Sequence, residues 1–492
     1  MSAGPTLSEL VAGRDAGPDG YVRLDVEANV WTALAQGCAA GSHDLSALWA
    51  DGGRVRMALS GGGLRAIVSL GTEDGVYPSV AAHHVPAMRL ERAMRDLHGV
   101  RPLGLPDSRP WLDHGRWPGR ENPARYEFLT AEGEGLHQIA VGPVHAGIIE
   151  PGHFRFTANG ETVVRLEERL GFVHKGVEGL LAGADIARGA GIVGRISGDS
   201  TVAYAWAFAR AVEAALGWTV PPRAVLLRGI MAELERLAHH INDVGAICND
   251  ASVLTINARC TLQREDVLAV TAACFGHRLM MDRVVPGGVA ADLSGDGAGR
   301  IRGLLARLEE TRAEILRVYD SMPSLQDRTV TTGIASPELV RQYAAGGFVG
   351  RAAGRAFDAR RNFPYAPYDE LPFDLRTRTT SDVDARLLVR MDEIVESLKI
   401  VGLMLDRMAP GDLMGGRPAL AAGEGAALVE AFRGDVFMSV RIAADGRLAR
   451  VHARDASWFQ WPILEAAVEG NIVADFPLCN KSFNCSYSGH DL

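Results

Sequence analysis

The spacing of apolar and polar positions changes character along the chain. Residues 1–125 contain the short alternating runs GYVRLDV, RVRMALS and RAIVSL, and one segment with helical spacing near AMRLERAMRDL. Alternation with period two is typical of strands, so this part is predicted to form a small α+β domain. Farther on, GHFRFTANGETVVRLEERLGFVH alternates on both sides of Asn159 and Gly160, a turn pair that predicts a β-hairpin.

Helical spacing dominates the rest of the chain. The segment VLLRGIMAELERLAHHINDVGAIC keeps its apolar residues on one side from Leu227 to Ile247, and LLVRMDEIVESLKIVGLMLDRM does so until Pro410. Two long elements of this kind predict the core of a helical bundle. The predicted fold class is therefore α+β, with the small α+β domain at 1–125 and a mainly α-helical domain at 126–492 that has a β-hairpin near its start.

Composition narrows the class of protein. The chain has 492 residues, of which 47% are hydrophobic and 23% charged, and its net charge is -9. These values describe a soluble globular protein and argue against a nucleic-acid partner. No run approaches the roughly 18 apolar residues of a membrane-spanning helix, and the first residues do not resemble a secretory signal, so a cytoplasmic location is expected. Six cysteines without a C-x-x-C pair indicate reduced, buried thiols.

Two patterns suggest cofactor binding, and the residues around them argue against it. GAGIVG at 189–194 matches the dinucleotide fingerprint, but the preceding residues predict helix and loop instead of the strand that such a turn requires. His239 and His240 are adjacent on a helix and point about 100° apart, so they cannot act as a metal-binding pair. Carboxylate or backbone partners are expected for them, and salt bridges to arginines of the same helix for Glu233 and Glu235.

Several separated segments resemble one superfamily. GPVHAGIIEPGHFRF and LGFVHKGVEGLL are followed, in order, by ELERLAHHINDVGAICND, DARRNFPYAPYDEL and VEAFRGD. This series is similar to the large subunit of nickel-iron hydrogenases and to its descendant, the 49-kDa-type subunit of respiratory complex I, in the hydrogenase-4 and formate-hydrogenlyase form. ERAMRDLHGV and GLPD resemble the 30-kDa-type subunit of complex I, which that form carries fused in front of the large subunit.

The resemblance implies a nickel-iron centre whose ligands are missing. In the family, two thiolates from Arg-x-Cys-Gly-x-Cys and two from Asp-Pro-Cys-x-x-Cys hold the metals. RISGDS keeps Arg195 and Gly198 but has Ser197 and Ser200 at the cysteine positions, while SFNCSYSGHDL has Ser486 and a glycine at the other two. A hydroxyl is a hard ligand with a far higher pKa than a thiol, so no metal is expected on this chain. The tail that maturation proteases remove is also expected to be missing.

The resemblance also implies roles for individual residues. The candidate catalytic residues are Glu178, where the family has a proton-transfer glutamate, His145 of the hairpin, and Arg433, where an arginine lines the diatomic ligands of the metal. The candidate cofactor-binding residues are His153, Arg195, Ser197, Gly198, Ser200, Tyr204 and Ser486. Two alternatives stay open, because Glu178 could be a helix-start carboxylate stabilised by the helix dipole, and Tyr204 an ordinary packed tyrosine.

Complex I offers a precedent for a shell that has lost its metals and binds quinone. We therefore expect a subunit of a membrane-associated, complex-I-like oxidoreductase, related to NADH-quinone oxidoreductases and energy-converting hydrogenases. Quinone is the candidate ligand, and no other cofactor is expected on the chain. NAD binding is associated with the chain only through the family that it resembles.

The same resemblance implies the partners and the location. A small iron-sulfur subunit would supply electrons from its cluster, and membrane-embedded antiporter-like and quinone-site subunits would anchor the chain. It would be cytoplasmic and peripheral on the inner face of the cell membrane. Two alternatives remain: a non-redox subunit that couples protons and conformational change in an ion-translocating complex, and an active nickel-iron hydrogenase with unusual ligands.

Overall fold

The computed structural model describes residues 6–115, 117, 126–146 and 149–492. The strands are β1 Val22–Asp25, β2 Asp44–Ala50, β3 Arg54–Gly61, β4 Leu64–Gly71, β5 Val76–Pro78, β6 Arg101–Leu103, β7 Leu136–Val141, β8 His153–Asn159, β9 Thr162–Arg169, β10 Val284–Val285, β11 Gly288–Val289, β12 Gly423–Ala431, β13 Gly434–Ile442 and β14 Leu448–Arg454. The α-helices are α1 Leu7–Val11, α2 Ala28–Ala39, α3 Met88–His98, α4 Val177–Leu181, α5 Ile186–Val193, α6 Thr201–Leu216, α7 Pro222–Asp250, α8 Leu254–Phe275, α9 Gly297–Asp320, α10 Pro323–Thr329, α11 Pro337–Gln342, α12 Gly347–Ala352, α13 Ala359–Asn362, α14 Val383–Asp406, α15 Ser457–Val468, α16 Phe476–Phe483 and α17 Tyr487–Asp491.

The first sheet is covered on both faces. Its strand order is β1-β4-β3-β2, with β1 parallel to β4 and the other pairs antiparallel. One face packs against Trp31 of α2 and Leu90 of α3, and the other packs against β12 to β14, where the rings of Trp49 and Phe437 lie 5.5 Å apart. Coverage of both faces explains why β3 is almost entirely buried instead of alternating with solvent.

The β-hairpin forms where the sequence predicts it. Strands β8 and β9 pair antiparallel up to Asn159 and Thr162, and β7 extends the sheet on the other side of β8. Phe154 and Phe156 of β8 point to the ring of Phe476 on α16, at centroid distances of 4.8 and 4.9 Å. Aromatic pairs at this distance contribute about 0.5–1.5 kcal/mol each beyond their burial, so they hold the hairpin against the C-terminal helices.

The centre of the molecule is a helical core around α7. This 29-residue helix packs against α8 and α14, and Leu227, Leu234 and Leu237 are fully buried along its predicted apolar side. Full burial of one leucine side chain contributes about 1.5–3 kcal/mol, so the apolar spacing of α7 accounts for much of its stability. The three-stranded sheet β12-β13-β14 lies on α6 and places Arg433 at the two-residue turn between β12 and β13.

The predicted α+β class, the hairpin, both long helices and the reduced cysteines are confirmed, since all six thiols are free and buried. GAGIVG lies within and just after α5, in agreement with the argument against a dinucleotide turn. The boundary between 1–125 and 126–492 stays a prediction, because residues 118–125 are outside the described part and one apolar cluster contains Trp111 as well as Phe154. Among the described helices, none has the length and hydropathy to span a membrane.

One side-chain prediction on α7 is wrong. Glu233 lies 3.4 Å from Arg236, as expected, but Glu235 accepts hydrogen bonds from the backbone N–H groups of Val202 and Ala203, at 2.7 and 3.2 Å. The first turn of α6 leaves its N–H groups without partners in the helix, and the carboxylate of Glu235 satisfies two of them. Burial raises the pKa of Glu235 to about 8, despite these hydrogen bonds.

The close contact between β12 and α6 gives a test of the fold. A Cβ at Gly425 would lie 2.0 Å from the backbone oxygen of Ala211, whereas a Cβ at Gly402 of α14 meets nothing within 4 Å. We expect Gly425→Ala to lower the free energy of unfolding by about 1–3 kcal/mol, because the strand must move away from the helix. Gly402→Ala, the matched control, should be neutral or stabilising by up to about 1 kcal/mol. Thermal or urea unfolding measures both, and equal stability of the two variants would contradict this packing.

Candidate functional site

The candidate site is a cavity of about 420 Å³ in the helical part of the molecule. Its wall comes from the end of the β7 to β8 connection, the loop before α6, the helices α7 and α8, the β12 to β13 turn, and the C-terminal segment. The lining residues are Ile149, Glu150, Ser197, Gly198, Asp199, His239, Asn242, Asp243, Ala246, Arg264, Arg433, Asn480, Lys481, Asn484, Cys485, Ser486, Tyr487 and Ser488. These segments are remote in sequence, so only the tertiary fold brings them together.

Two serines join opposite ends of the chain at the cavity wall. The hydroxyl oxygens of Ser197 and Ser486 are 2.9 Å apart, and Ser197 also donates to Asp199 at 2.6 Å. Ser486 in turn accepts a hydrogen bond from the N–H of Gly489 at 2.9 Å and so caps α17. The two hydroxyls therefore link the loop before α6 to the C-terminal segment by a hydrogen bond.

Arg433 and Asp199 form a bidentate ion pair next to this link. The guanidinium donates to both carboxylate oxygens, at 2.9 and 2.5 Å, and it also donates to the backbone oxygen of Asn484. Burial opposes ionisation of Asp199, but the charge and hydrogen bonds of Arg433 outweigh it and hold the pKa of this carboxyl well below its usual range. Its pair with Asp199 likewise raises the pKa of Arg433. Both groups are therefore charged over the whole physiological range.

Of the other predicted cofactor-binding residues, only some line the cavity. Gly198 lines the cavity, and Ser200 is buried 3.4 Å from the guanidinium of Arg433. Tyr204 lies outside the lining and donates to Asp455 at 2.5 Å, so its hydroxyl is already engaged. Arg195 is half exposed and pairs with Asp282 through two hydrogen bonds of 2.8 Å, and it too is absent from the lining.

The predicted histidines of the hairpin segment hydrogen-bond to backbone oxygens of glycines in the same segment. A ring nitrogen of His145 lies 2.7 Å from the backbone oxygen of Gly152, and one of His153 lies 3.2 Å from that of Gly142. Neither imidazole is part of the lining. Ile149 and Glu150 of this segment do line the cavity, and the carboxylate of Glu150 accepts a hydrogen bond from the N–H of Ser488 at 3.1 Å.

Glu178 belongs to a separate buried charge cluster. Its carboxylate lies 2.7 Å from a ring nitrogen of His452, 2.8 Å from Arg450 and 3.6 Å from His98 of the N-terminal part. Burial opposes ionisation, but the charges of Arg450 and His452 outweigh it and hold the pKa of Glu178 well below its usual range. Glu178 lines a small space at the first sheet instead of the cavity, so its proton-transfer role stays a prediction.

The cavity wall does not offer the donor set of a nickel-iron centre. Ser197 and Ser486 present hydroxyls that already share a hydrogen bond, and hydroxyl is a poor ligand for these metals. The one thiol of the lining belongs to Cys485, and burial with Glu168 nearby raises its pKa well above the ordinary value. A metal needs the thiolate, which this environment disfavours. In the part of the chain that the structure describes, no group of three or more His, Cys, Asp or Glu side chains is arranged to hold a metal ion.

Several lining residues with ionisable side chains are not among the residues that the sequence predicted for this site. Asp199 stands inside RISGDS, between the predicted residues Gly198 and Ser200. Asp243, His239, Arg264 and Lys481 carried no comparable signal, because a charged or histidine residue on a helix is usually solvated or paired. His239 was expected to find a carboxylate or backbone partner, and this is wrong: its ring makes no hydrogen bond to the described residues, stacks 4.7 Å from Phe432, and has a pKa that burial lowers to about 4.

Comparison with known proteins identifies the family. Residues 250–421 match the family described as "Respiratory-chain NADH dehydrogenase, 49 Kd subunit", and residues 54–134 match "Respiratory-chain NADH dehydrogenase, 30 Kd subunit". Formate hydrogenlyase subunit 5 of Escherichia coli (strain K12) is 31% identical over 439 residues, which are 84% of this chain and 77% of that protein. The chain belongs to this complex I and hydrogenase large-subunit family.

Other members of the family have similar coverage. Carbon monoxide-induced hydrogenase of Rhodospirillum rubrum is 32% identical over 71% of this chain and 97% of that protein. An NADH-quinone oxidoreductase subunit of Phocaeicola vulgatus is 28% identical over 74% of this chain and 76% of that protein. In the solved structure of the membrane-bound sulfane sulfur reductase, an archaeal respiratory membrane complex, one chain superposes with a TM-score of 0.69 at 26% identity, over 73% of this chain and 99% of that one.

The predicted resemblance and the predicted fusion of 30-kDa-type and 49-kDa-type segments are therefore confirmed. The chain is a complex-I-like subunit of the hydrogenase-4 and formate-hydrogenlyase type. Its relatives are named as subunits or components of larger assemblies, and the structural relative comes from a membrane complex.

The Arg433–Asp199 pair gives a test of the site. We expect Asp199→Asn to lower the free energy of unfolding at pH 7 by about 2–3 kcal/mol, because Arg433 loses a charged hydrogen-bonding partner. The lowered pKa of Asp199 stabilises the fold above the unfolded-state pKa of about 4, and this contribution is lost as the pH falls below that value. The difference between wild type and variant should therefore shrink in acid, measured by urea unfolding at several pH values.

The matched control is Asp282→Asn, which removes the same kind of partner from the exposed arginine Arg195. An exposed pair contributes less than about 1 kcal/mol. If both variants lose the same stability, or the effect of Asp199→Asn is independent of pH, the ion pair does not have the role assigned to it.

Proposed function

We propose that the chain is a peripheral subunit of a membrane-associated electron-transfer complex, and that its cavity receives a small electron acceptor, quinone or another small oxidant. The observation that carries the proposal is the cavity itself: about 420 Å³ bounded by the two segments that hold the metals in hydrogenases, with Ser197 and Ser486 linked at 2.9 Å where thiolates would stand. Serine hydroxyls are poor ligands for nickel and iron, so the space is available to a small molecule.

Electrons would reach this acceptor from an iron-sulfur cluster in a small partner subunit. The six cysteines of this chain are buried free thiols, and among the described residues no group of three or more is arranged to hold a metal, so the chain does not offer the ligands of such a cluster. Membrane-embedded antiporter-like and quinone-site subunits would hold the chain on the inner, cytoplasmic face of the membrane. Support comes from the relatives named as NADH-quinone oxidoreductase subunits and from the respiratory membrane complex that contains the similar structure.

The lining residues suit the binding of a polar acceptor. Neutral His239 has an N–H group to offer, and the side-chain amides of Asn242 and Asn480 are further donors. The Arg433–Asp199 pair adds a fixed dipole at the wall, because both charges stay in place at all physiological pH values. These groups would orient an acceptor through its oxygen atoms.

A second candidate function is proton and conformational coupling without electron transfer at the cavity. The observation that favours it is the buried cluster of Glu178, His98, Arg450 and His452, which connects α3 of the N-terminal part to β14. Such a cluster can transmit a change of charge between two parts of a molecule. The turnover experiment below separates the two functions, because a coupling subunit does not need the cavity for acceptor reduction.

The missing ligands predict the metal content of the complex. We expect purified complex that contains this chain to hold iron from its iron-sulfur partner and nickel far below one atom per chain, because the thiolates that hold nickel are serines or glycine here. Inductively coupled plasma mass spectrometry measures both metals against protein concentration. Stoichiometric nickel that persists after dialysis against a chelator would show that the chain is a hydrogenase with unusual ligands.

Filling the cavity tests the acceptor site. A Cβ at Gly198 meets nothing within 4 Å, so Gly198→Leu should extend a side chain into the cavity without a backbone clash. We expect acceptor-dependent oxidation of the electron donor by the complex to fall by at least about tenfold, which corresponds to about 1.4 kcal/mol of lost binding or transition-state stabilisation. Gly299→Leu, on the exposed side of α9, is the matched control and should retain activity. Unchanged turnover in a stable Gly198→Leu complex would show that the cavity takes no part in the reaction.

A further inference from the structure

Two cations on the cavity wall have no counter-ion among the described residues. Arg264 on α8 and Lys481 on α16 both line the cavity, and within the described part of the chain neither makes a hydrogen bond or an ion pair. The Nε of Arg264 is also buried without a partner. Lys481 acts on Asp250 through space, but the two groups are farther apart than an ion pair. Buried or half-buried guanidinium groups are usually paired, so this arrangement calls for an explanation.

The carboxylates of the same wall are already committed. Asp199 is paired with Arg433, and Asp243 accepts from the Nε of Arg390 at 3.1 Å and from the amide of Asn484 at 2.9 Å. Glu150, the third carboxylate of the wall, accepts a hydrogen bond from the backbone N–H of Ser488 at the start of α17. The positive charges on α8 and α16 are therefore not neutralised by the acids that share the cavity with them.

His239 adds an unused polar group to the same wall. Its side chain is only 5% exposed, lines the cavity, and makes no hydrogen bond to any described residue. The ring is held in place by stacking on Phe432. A buried imidazole without a partner costs free energy unless something in the cavity bonds to it. Its position beside two unpaired cations indicates a ligand that carries negative charge and accepts hydrogen bonds.

We propose that the cavity binds a small oxyanion or carboxylate, with Arg264 and Lys481 supplying the positive charge and His239 a hydrogen bond. A planar guanidinium matches two oxygens of such an anion, and an ammonium group acts as a point charge beside it. A neutral quinone would leave both charges unmatched. The assignment of this anion as the electron acceptor rests on the proposed function, whereas its binding does not.

Lysine chemistry provides a direct test, because the full chain contains three lysines. Lys175 donates to the backbone oxygen of Ile196 at 2.8 Å, and Lys399 lies 3.6 Å from Glu396, away from the cavity. The purified full chain is treated briefly with acetic anhydride, with sodium sulfate or with sodium chloride at the same ionic strength. Mass spectrometry then gives the acetylation rate of each lysine.

With sulfate at about ten times its Kd, we expect acetylation of Lys481 to slow about tenfold, while Lys399 is unaffected. Arg264→Gln should abolish most of this protection. Arg259→Gln, which removes an exposed arginine of the same helix, should leave it intact. The wild-type comparison of Lys481 with Lys399 stands even if the Arg264 variant folds poorly.

Equal rates for Lys481 in sulfate and chloride, equal protection of both lysines, or protection that survives Arg264→Gln would overturn the inference. Protection by a tail-less quinone as strong as that by sulfate would also overturn it. The assay contains no electron donor, so it is independent of turnover. If sulfate protects Lys481 but the complex reduces no acceptor, the proposed function is wrong and the anion site is still supported. If the complex reduces an acceptor but sulfate does not protect Lys481, the anion site is wrong and the proposed function is still supported.

Discussion

The bidentate ion pair between Arg433 and Asp199 is the contact on which the candidate site depends. Arg433 stands at the two-residue turn between β12 and β13, Asp199 in the loop before α6, and the same guanidinium donates to Asn484 at the end of α16. One planar group with fixed donor directions thus fixes three remote segments relative to each other. Phe432, the neighbour of Arg433 in the turn, also carries the stacked ring of His239. The shape of the cavity follows from this set of contacts.

The resemblance to nickel-iron hydrogenases implies that metal-thiolate bonds join the corresponding two segments in those enzymes. Here a hydrogen bond between Ser197 and Ser486 does so, next to the ion pair. The hydroxyl pair and the salt bridge supply each other's hydrogen-bonding partners without a metal. The cavity that they border can therefore hold another molecule. In the proposed function, this hydrogen-bonded wall takes the place of the metal site of the hydrogenases that the chain resembles.

The sequence predicted the elements better than the directions of their side chains. The apolar spacing of α7 and the alternation around Asn159 are local properties, and both elements form as expected. The imidazole of His145, by contrast, turns to the backbone of Gly152, and the hydroxyl of Tyr204 turns to Asp455. In both cases a nearby partner in the fold competes for the group, and motif spacing contains no information on that competition. The same holds for Glu235, whose carboxyl group accepts hydrogen bonds from backbone N–H groups in the first turn of α6.

By itself, the sequence determined the α+β class, the family and the serines that stand where the resemblance implies thiolate ligands, because these depend on residue type and on periodicity within single segments. Only the tertiary structure decided that Glu178 belongs to a cluster with Arg450 and His452 instead of the cavity. It also decided that Arg264 and Lys481 share one wall on which no described residue pairs with them. The physical reason is that the pairing of a charge depends on which groups lie within a few ångströms of it. That distance is set by the packing of helices and strands that are hundreds of residues apart in the chain.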